Sequence, residues 1–251
     1  MPSDKSLDSS KKNQRMESGY QIKFQCHTGV SCFTRCCQDI TIVLTPYDVL
    51  RLKQGLDISS EEFLDKYAFI IPKEKRVIPM VVLKMNEDDK KCPFVSEEGC
   101  AVYNDRPWPC RMYPLTVNDD NTFGLITDAS KCYGLREDVL WKISDWVVDQ
   151  GIEPYDEMNE LLSEITISLS TYQLDIDNVD ISRMITMALY NLDKFREFVF
   201  KSSFLDRLEV DEDRITAIKK DDIELLKFAY DWLKFGLFGQ KLFWVKDKPS
   251  D

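Results

Sequence analysis

The chain has 251 residues, 43 % of them apolar, enough to bury a core without help from cross-links. Its formal net charge of −11 argues against a general nucleic-acid binder, which needs a basic face to displace counterions from phosphates. No apolar run reads as a signal-peptide core or as an integral membrane segment, so the expected compartment is cytoplasmic, where thiols stay reduced.

Residues 1–19 are rich in Ser, Lys and Asp and read as a disordered arm. Residues 20–25 (YQIKFQ) alternate as a short strand does, and 39–44 form a second β-rich run. Thr45-Pro46 reads as a helix cap followed by proline at the first helical position, opening a helix through Leu52 that Gly55 stops. Asp48, in its first turn, is read as complementing the helix dipole rather than as a catalytic acid. Ser59 and Ser60 precede a helix over 61–69, and 76–85 is a strand that Pro79 demotes to an edge or a bulge. The stretch 92–114 holds four prolines and little periodicity, and reads as an ordered loop. Residues 122–127 (TFGLIT) are a further strand candidate.

From Leu135 the spacing turns helical. Val139, Leu140, Ile143, Trp146 and Val147 form one set, and Met158, Leu161, Leu162, Ile165 and Leu169 another. Met184, Met187, Ala188, Leu192, Phe195 and Val199 form a third, and a last helix is expected over 222–238. The aromatic run from Leu225 to Val245 is expected to pack as core on the cysteine-rich part rather than dock on a membrane or a partner. The acidic runs 87–89 and 211–213 read as solvated turns. The fold class is α+β: a disordered arm over 1–19, a cysteine-cluster part with short strands over 20–134, and a helical region over 135–251 packing on it.

All eight cysteines lie between Cys26 and Cys132. Cys26, Cys32, Cys36 and Cys37 fall within twelve residues, and Cys92, Cys100, Cys110 and Cys132 are spread downstream. Short loops cost little closure entropy, so the first four thiols are a good start for a metal nest. No C-x2-C knuckle of the structural-zinc kind occurs. Adjacent Cys36 and Cys37 serve different metal atoms more easily than they chelate one. An iron–sulfur cluster is therefore the first choice and zinc the second, with all eight cysteines as candidate ligands; unliganded core thiols and disulfides are the plainer alternatives. Arg35, Lys91, Arg111 and Lys131 stand beside cysteines, where a cation favours thiolate, and Arg106 and Arg111 are candidates to bond sulfur or nearby carbonyls. The single histidine, His27, is read as a solvent-facing or outer neighbour rather than a ligand.

Leu44-Thr45-Pro46-Tyr47-Asp48, Cys92-Pro93-Phe94, Gly99-Cys100, Val102-Tyr103, Arg106-Pro107, Cys110-Arg111 and Tyr113-Pro114, with Phe24-x-Cys26 and the early cysteines, resemble the YkgJ-type cysteine-cluster family over about residues 20–135. The resemblance implies a zinc- or iron-chelating domain. The family opens with C-x2-C-x2-C-C, whereas here the gaps are five and three residues. One branch is similar to flagellin lysine methylases, which implies a protein lysine methyltransferase-like alternative. No G-x-G-x-x-G loop, P-loop or C-x3-C-x2-C motif supports it. A metal carrier or sensor is the remaining alternative, and an unidentified protein partner is compatible with any of these roles.

Overall fold

The computed structural model describes residues 15–71, 78–172 and 179–246. They are α+β, and every strand pairing among them is antiparallel. The chain forms two compact units, one from the residues up to Ile40 with Met85–Pro154, the other from Thr41–Lys84 with the residues from Tyr155 on. All eight cysteines belong to the first unit.

In the first unit Gln21–Lys23 pairs with Leu140–Lys142, Ile22 opposite Trp141. Leu115–Val117 pairs with Phe123–Leu125, and Val95–Ser96 with Gly99–Cys100. The expected strands at 20–25 and 122–127 are present but shorter. Leu140 was expected in a helix; it lies in a strand, and the helix Ile143–Asp149 starts only after it. The stretch expected as a loop over 92–114 instead carries the Val95–Cys100 hairpin and the helix Trp108–Met112, with Pro107 and Pro109 at the helix entry, where proline is tolerated. The core gathers Met16, Ile22, Phe24, Met112, Leu115, Leu135, Ile143, Trp146 and Cys132. Phe24 meets the Trp146 ring edge-on at 5.2 Å and Tyr113 at 6.2 Å. Of the segment read as an arm, residues 1–14 lie outside the described residues, and Met16 is buried and bridges Phe123. The acidic run 87–89 is an exposed turn.

In the second unit Pro46–Gly55 is capped by Thr45, whose hydroxyl accepts from the Asp48 N–H at 3.3 Å, while Asp48 accepts from the Thr45 N–H at 2.8 Å. Asp48 is fully buried in this capping box. Ser59 caps Ser60–Tyr67, and the chain passes directly into the strand Ala68–Ile71, so Ala68 and Phe69 are not helical as expected. That strand and Val43–Leu44 flank Met80–Leu83, which is the central strand of three. Pro79 precedes it and removes no ladder bond, which is why the expected edge position does not hold; residues 76 and 77 of that run lie outside the described residues.

Glu153–Tyr172 is one helix, but the third periodic set is split into Val179–Tyr190 and Leu192–Lys201, where Asn191 leaves helical geometry and caps the second through the Lys194 N–H. Glu212–Lys220 is a helix, so the acidic run 211–213 is its cap position and first turn rather than a solvated turn, a placement the helix dipole favours. Asp222–Phe238 forms as expected and ends at Gly239, at φ 65°. Its aromatics turn inward within this unit: Phe228 is buried and meets Phe243 at 5.3 Å, and Trp232 meets Phe195 at 5.5 Å, while Trp244 is exposed.

Candidate metal centre

Cys26 leaves the strand Gln21–Lys23 in extended chain that bonds to the turn following Cys132: the Gln25 N–H donates to the Gly134 carbonyl at 3.0 Å. The approach requires glycine, because a Cβ at Gly134 would sit 2.8 Å from the Gln25 oxygen. It brings the Tyr133 N–H to 3.1 Å from the Cys32 sulfur, to which it donates. Cys36 and Cys37 lie in the single 3-10 turn Arg35–Cys37, entered through Thr34 at φ 64°.

Cys32, Cys36 and Cys132 stand within electrostatic reach of Cys26, and Cys32 within reach of Cys132. Cys26 is exposed as a residue, yet partial desolvation of its sulfur, then the neighbouring Cys36, Cys132 and Cys32, push its thiol up to about 12. Cys36 is pushed up by its hydrogen bond with Cys37 and then by burial. Burial also pushes Cys132 up, opposed by hydrogen bonding from the Tyr113 hydroxyl and from the Leu135 and Gly134 N–H groups. Burial holds the Tyr113 phenol well above its usual range, with Cys132 and Cys36 adding to it, so it remains a donor.

The second set of cysteines is tied to the first through backbone. The Cys92 N–H donates to the Cys37 carbonyl at 2.8 Å, and Gln38 bridges Lys91. Burial raises Cys92 and Cys100, and in each the N–H two residues on, of Phe94 and of Val102, opposes it by bonding the sulfur. N–H groups aimed at sulfur favour thiolate.

The Arg106 guanidinium, which donates to the Tyr103 carbonyl and to Gln150, lies within the electrostatic field of Cys110 and Cys100 and opposes the rise of the Cys100 thiol. The four cations adjacent to cysteines in sequence have these surroundings. Lys91 pairs with Asp89 at 3.7 Å, and Arg35 and Lys131 are exposed. Arg111 donates to three carbonyls, those of Arg106 at 3.0 Å, Gln150 at 2.6 Å and Asn104. This buried fork pins the Trp108–Met112 helix and with it Cys110. His27 accepts from the Gly29 N–H through Nδ1 at 3.0 Å and lies 3.4 Å from Glu137 through Nε2, so both ring nitrogens are engaged away from the thiols.

All eight cysteines are free thiols. Among the described residues no three His, Cys, Asp or Glu side chains stand together at the spacing of a metal's ligands. The donor chemistry nevertheless fits a soft or borderline cation: desolvated thiols raise one another's pKa, and a shared cation reverses that penalty by favouring thiolate. Tyr113 and Gly134 were missed as contributors from sequence. Their signals were the Tyr-Pro pair that closes the second cysteine motif and the Cys-x-Gly spacing after Cys132.

No helix of the described residues is long and apolar enough to cross a membrane. No curated protein and no solved structure matches the chain. Residues 25–133, which span every cysteine, match the model of the CxxCxxCC family, described as a "putative zinc- or iron-chelating domain". Over that stretch, which is less than half of the chain, the sequence is similar to this family, the YkgJ-type group that its motifs resemble.

Proposed function

We propose that the cysteine-bearing unit holds an iron–sulfur cluster, with zinc as the alternative cargo of the same thiols, in a reducing, cytoplasmic setting. Cys26, Cys32, Cys36 and Cys132 are the first ligand candidates, and Cys37, Cys92, Cys100 and Cys110 supply the rest. The observation that carries this reading is the placing of all eight cysteines in one unit, with the backbone N–H of Tyr133 donating to the Cys32 sulfur at 3.1 Å. Adjacent Cys36 and Cys37 serve different metal atoms more easily than they chelate one, which favours a polynuclear iron–sulfur cluster over a single zinc. Bound, an iron–sulfur cluster supplies one-electron transfer or a structural cross-link. The chain's own part is to gather the sulfurs, direct the Tyr133 N–H at one of them and keep Cys32, Cys92 and Cys132 from water.

Anaerobic purification with absorption spectroscopy and with iron, zinc and acid-labile sulfide analysis tests this. Broad visible absorption with matching iron and sulfide is expected. A colourless, zinc-loaded protein removes iron–sulfur, and a protein that retains neither metal removes the whole reading. The exposure of Cys26 beside buried Cys32 and Cys132 favours a second reading, a carrier or sensor with one exchangeable ligand. A modest chelator should then strip the metal without unfolding the chain, whereas a structural site resists it.

A further inference from the structure

We propose that the strand Ala68–Ile71 is a contact between two copies of this chain, pairing antiparallel with itself across a two-fold axis at Ile70. The contact lies wholly within the helical unit and needs no metal.

The sheet order leaves Ala68–Ile71 at an edge, beside Met80–Leu83. The Lys84 N–H donates to the Tyr67 carbonyl at 2.8 Å, which fixes the phase of that ladder. Phe69 and Ile71, two and four residues on, therefore spend their N–H and carbonyl groups on Val82 and Met80, and those of Ile70 point to the open side. Edge strands are ordinarily guarded by lysine, proline or a bulge. Ala68–Ile71 holds none of these: its sequence is AFII and its register runs without interruption. Phe69, Ile70 and Ile71 are instead 55, 42 and 41 % exposed.

Both faces of the strand are apolar. Phe69 stands opposite Val82, and Val82 opposite the exposed Val43, where a solvated antiparallel face would carry polar side chains. On the other face Ile70 stands opposite buried Val81 and borders a groove of about 350 Å³ that Leu64 and Met187 also line. A second copy matches the edge and both faces at once. Ala68 is buried and Tyr67 ends the preceding helix, so the pairing centres on Ile70 rather than nearer the start of the strand. With the axis there, the two Ile70 residues exchange N–H to carbonyl bonds and bring their side chains together at the groove. On the opposite face Phe69 of each copy meets Ile71 of the other, the aromatic–aliphatic kind of cross-strand pair that stabilises sheets. Each copy's free edge is consumed by the other's, so the pairing closes at two.

Sedimentation of the full-length protein, kept reduced and anaerobic with its metal content as purified, tests this. The wild type is expected to pass from monomer to dimer in the micromolar range. Phe69→Lys with Ile71→Lys sets like charges opposite each other at both outer pairs and should weaken the dimer about tenfold or more. Phe69→Lys with Ile71→Glu sets opposite charges there and should restore most of the lost association, a rescue that only this register produces. A wild type that stays monomeric up to about 300 µM overturns the proposal, as does a dimer that the first variant leaves intact. A second variant as dissociated as the first overturns the pairing about Ile70. If the first variant loses its cooperative melting transition, hydrogen exchange at the Ile70 amide of the wild type decides. Protection that rises with protein concentration supports the pairing, and exchange independent of concentration overturns it.

Discussion

The backbone N–H of Tyr133 lies 3.1 Å from the sulfur of Cys32, across 101 positions of chain. An amide that donates to sulfur gives up a carbonyl or water partner, and it does so here because the turn at Cys132 is fixed against the end of the first strand. The fixing comes from the Gln25 N–H on the Gly134 carbonyl and from the missing side chain at Gly134. The same contact brings Cys26, Cys32 and Cys132 within one another's electrostatic field.

Cys32→Ser and Cys132→Ser should each abolish stoichiometric metal while leaving the chain folded. A serine oxygen still accepts the Tyr133 N–H, or those of Gly134 and Leu135, so the turn survives, but it is a poor ligand for a soft metal. Metal analysis beside far-ultraviolet circular dichroism checks this. Full metal content in either variant removes that cysteine from the ligand set.

Gly134→Ala should destabilise the cysteine-bearing unit by about 1–3 kcal/mol, the usual cost of forcing a methyl group into a packed contact. The new Cβ would stand 2.8 Å from the Gln25 oxygen and 3.0 Å from the Phe24 ring. Backbone cannot yield there without breaking the Gln25–Gly134 hydrogen bond, so metal retention should fall with stability. Denaturant unfolding of the loaded protein measures the first effect and chelator competition the second.

Arg111→Lys should cost about 2–4 kcal/mol despite conserving the charge. A lysine ammonium cannot span the carbonyls of Arg106, Gln150 and Asn104 in one plane, and at least one buried acceptor is left unpaired. Denaturant unfolding detects the loss. A variant as stable as the wild type would show that the fork contributes nothing beyond its charge.

The helical unit should lose stability in acid through Asp193. Burial by itself would raise this carboxyl, but the Ser60 N–H at 2.6 Å and the ammonium of Lys53 at 3.3 Å together hold it below its ordinary value. A carboxyl depressed in the folded state contributes stability above its unfolded pKa, and that contribution disappears as pH falls through the folded one. Melting temperature followed downward from about pH 5 should therefore fall more steeply in the wild type than in Asp193→Asn, which lacks the titrating group. Parallel curves would contradict the assignment.

Elements announced by neighbouring residues were legible in the sequence. Thr45-Pro46 with Asp48 three residues after the cap marks a helix start wherever it falls, and the aromatic spacing of 222–238 marks a helix by itself. Elements that depend on a distant partner were not. Leu140–Lys142 is too short to show alternation, and Leu140 fits a helical period equally well until Gln21–Lys23 pairs with the strand. The break at Asn191 was hidden because the apolar spacing continues across it with little change of phase. The acidic residues 211–213 are equally at home in a turn and in the first turn of a helix, and only the helix that follows distinguishes the two.

The sequence by itself determined the α+β class, the stretch that carries the chemistry and the identity of its soft donors, because cysteine content and local periodicity are properties of residues close in the chain. Only the tertiary structure decided which groups surround those sulfurs. The Tyr133 amide reaches the Cys32 sulfur, and the Arg111 guanidinium spends three bonds on the carbonyls of Arg106, Gln150 and Asn104, contacts that adjacency in the chain would never have given. Proximity along the chain fixes neither the direction of a side chain nor the closure of a loop. Those follow from packing, and the contact at Gly134, where no side chain intervenes, sets the approach of the two cysteine-bearing segments.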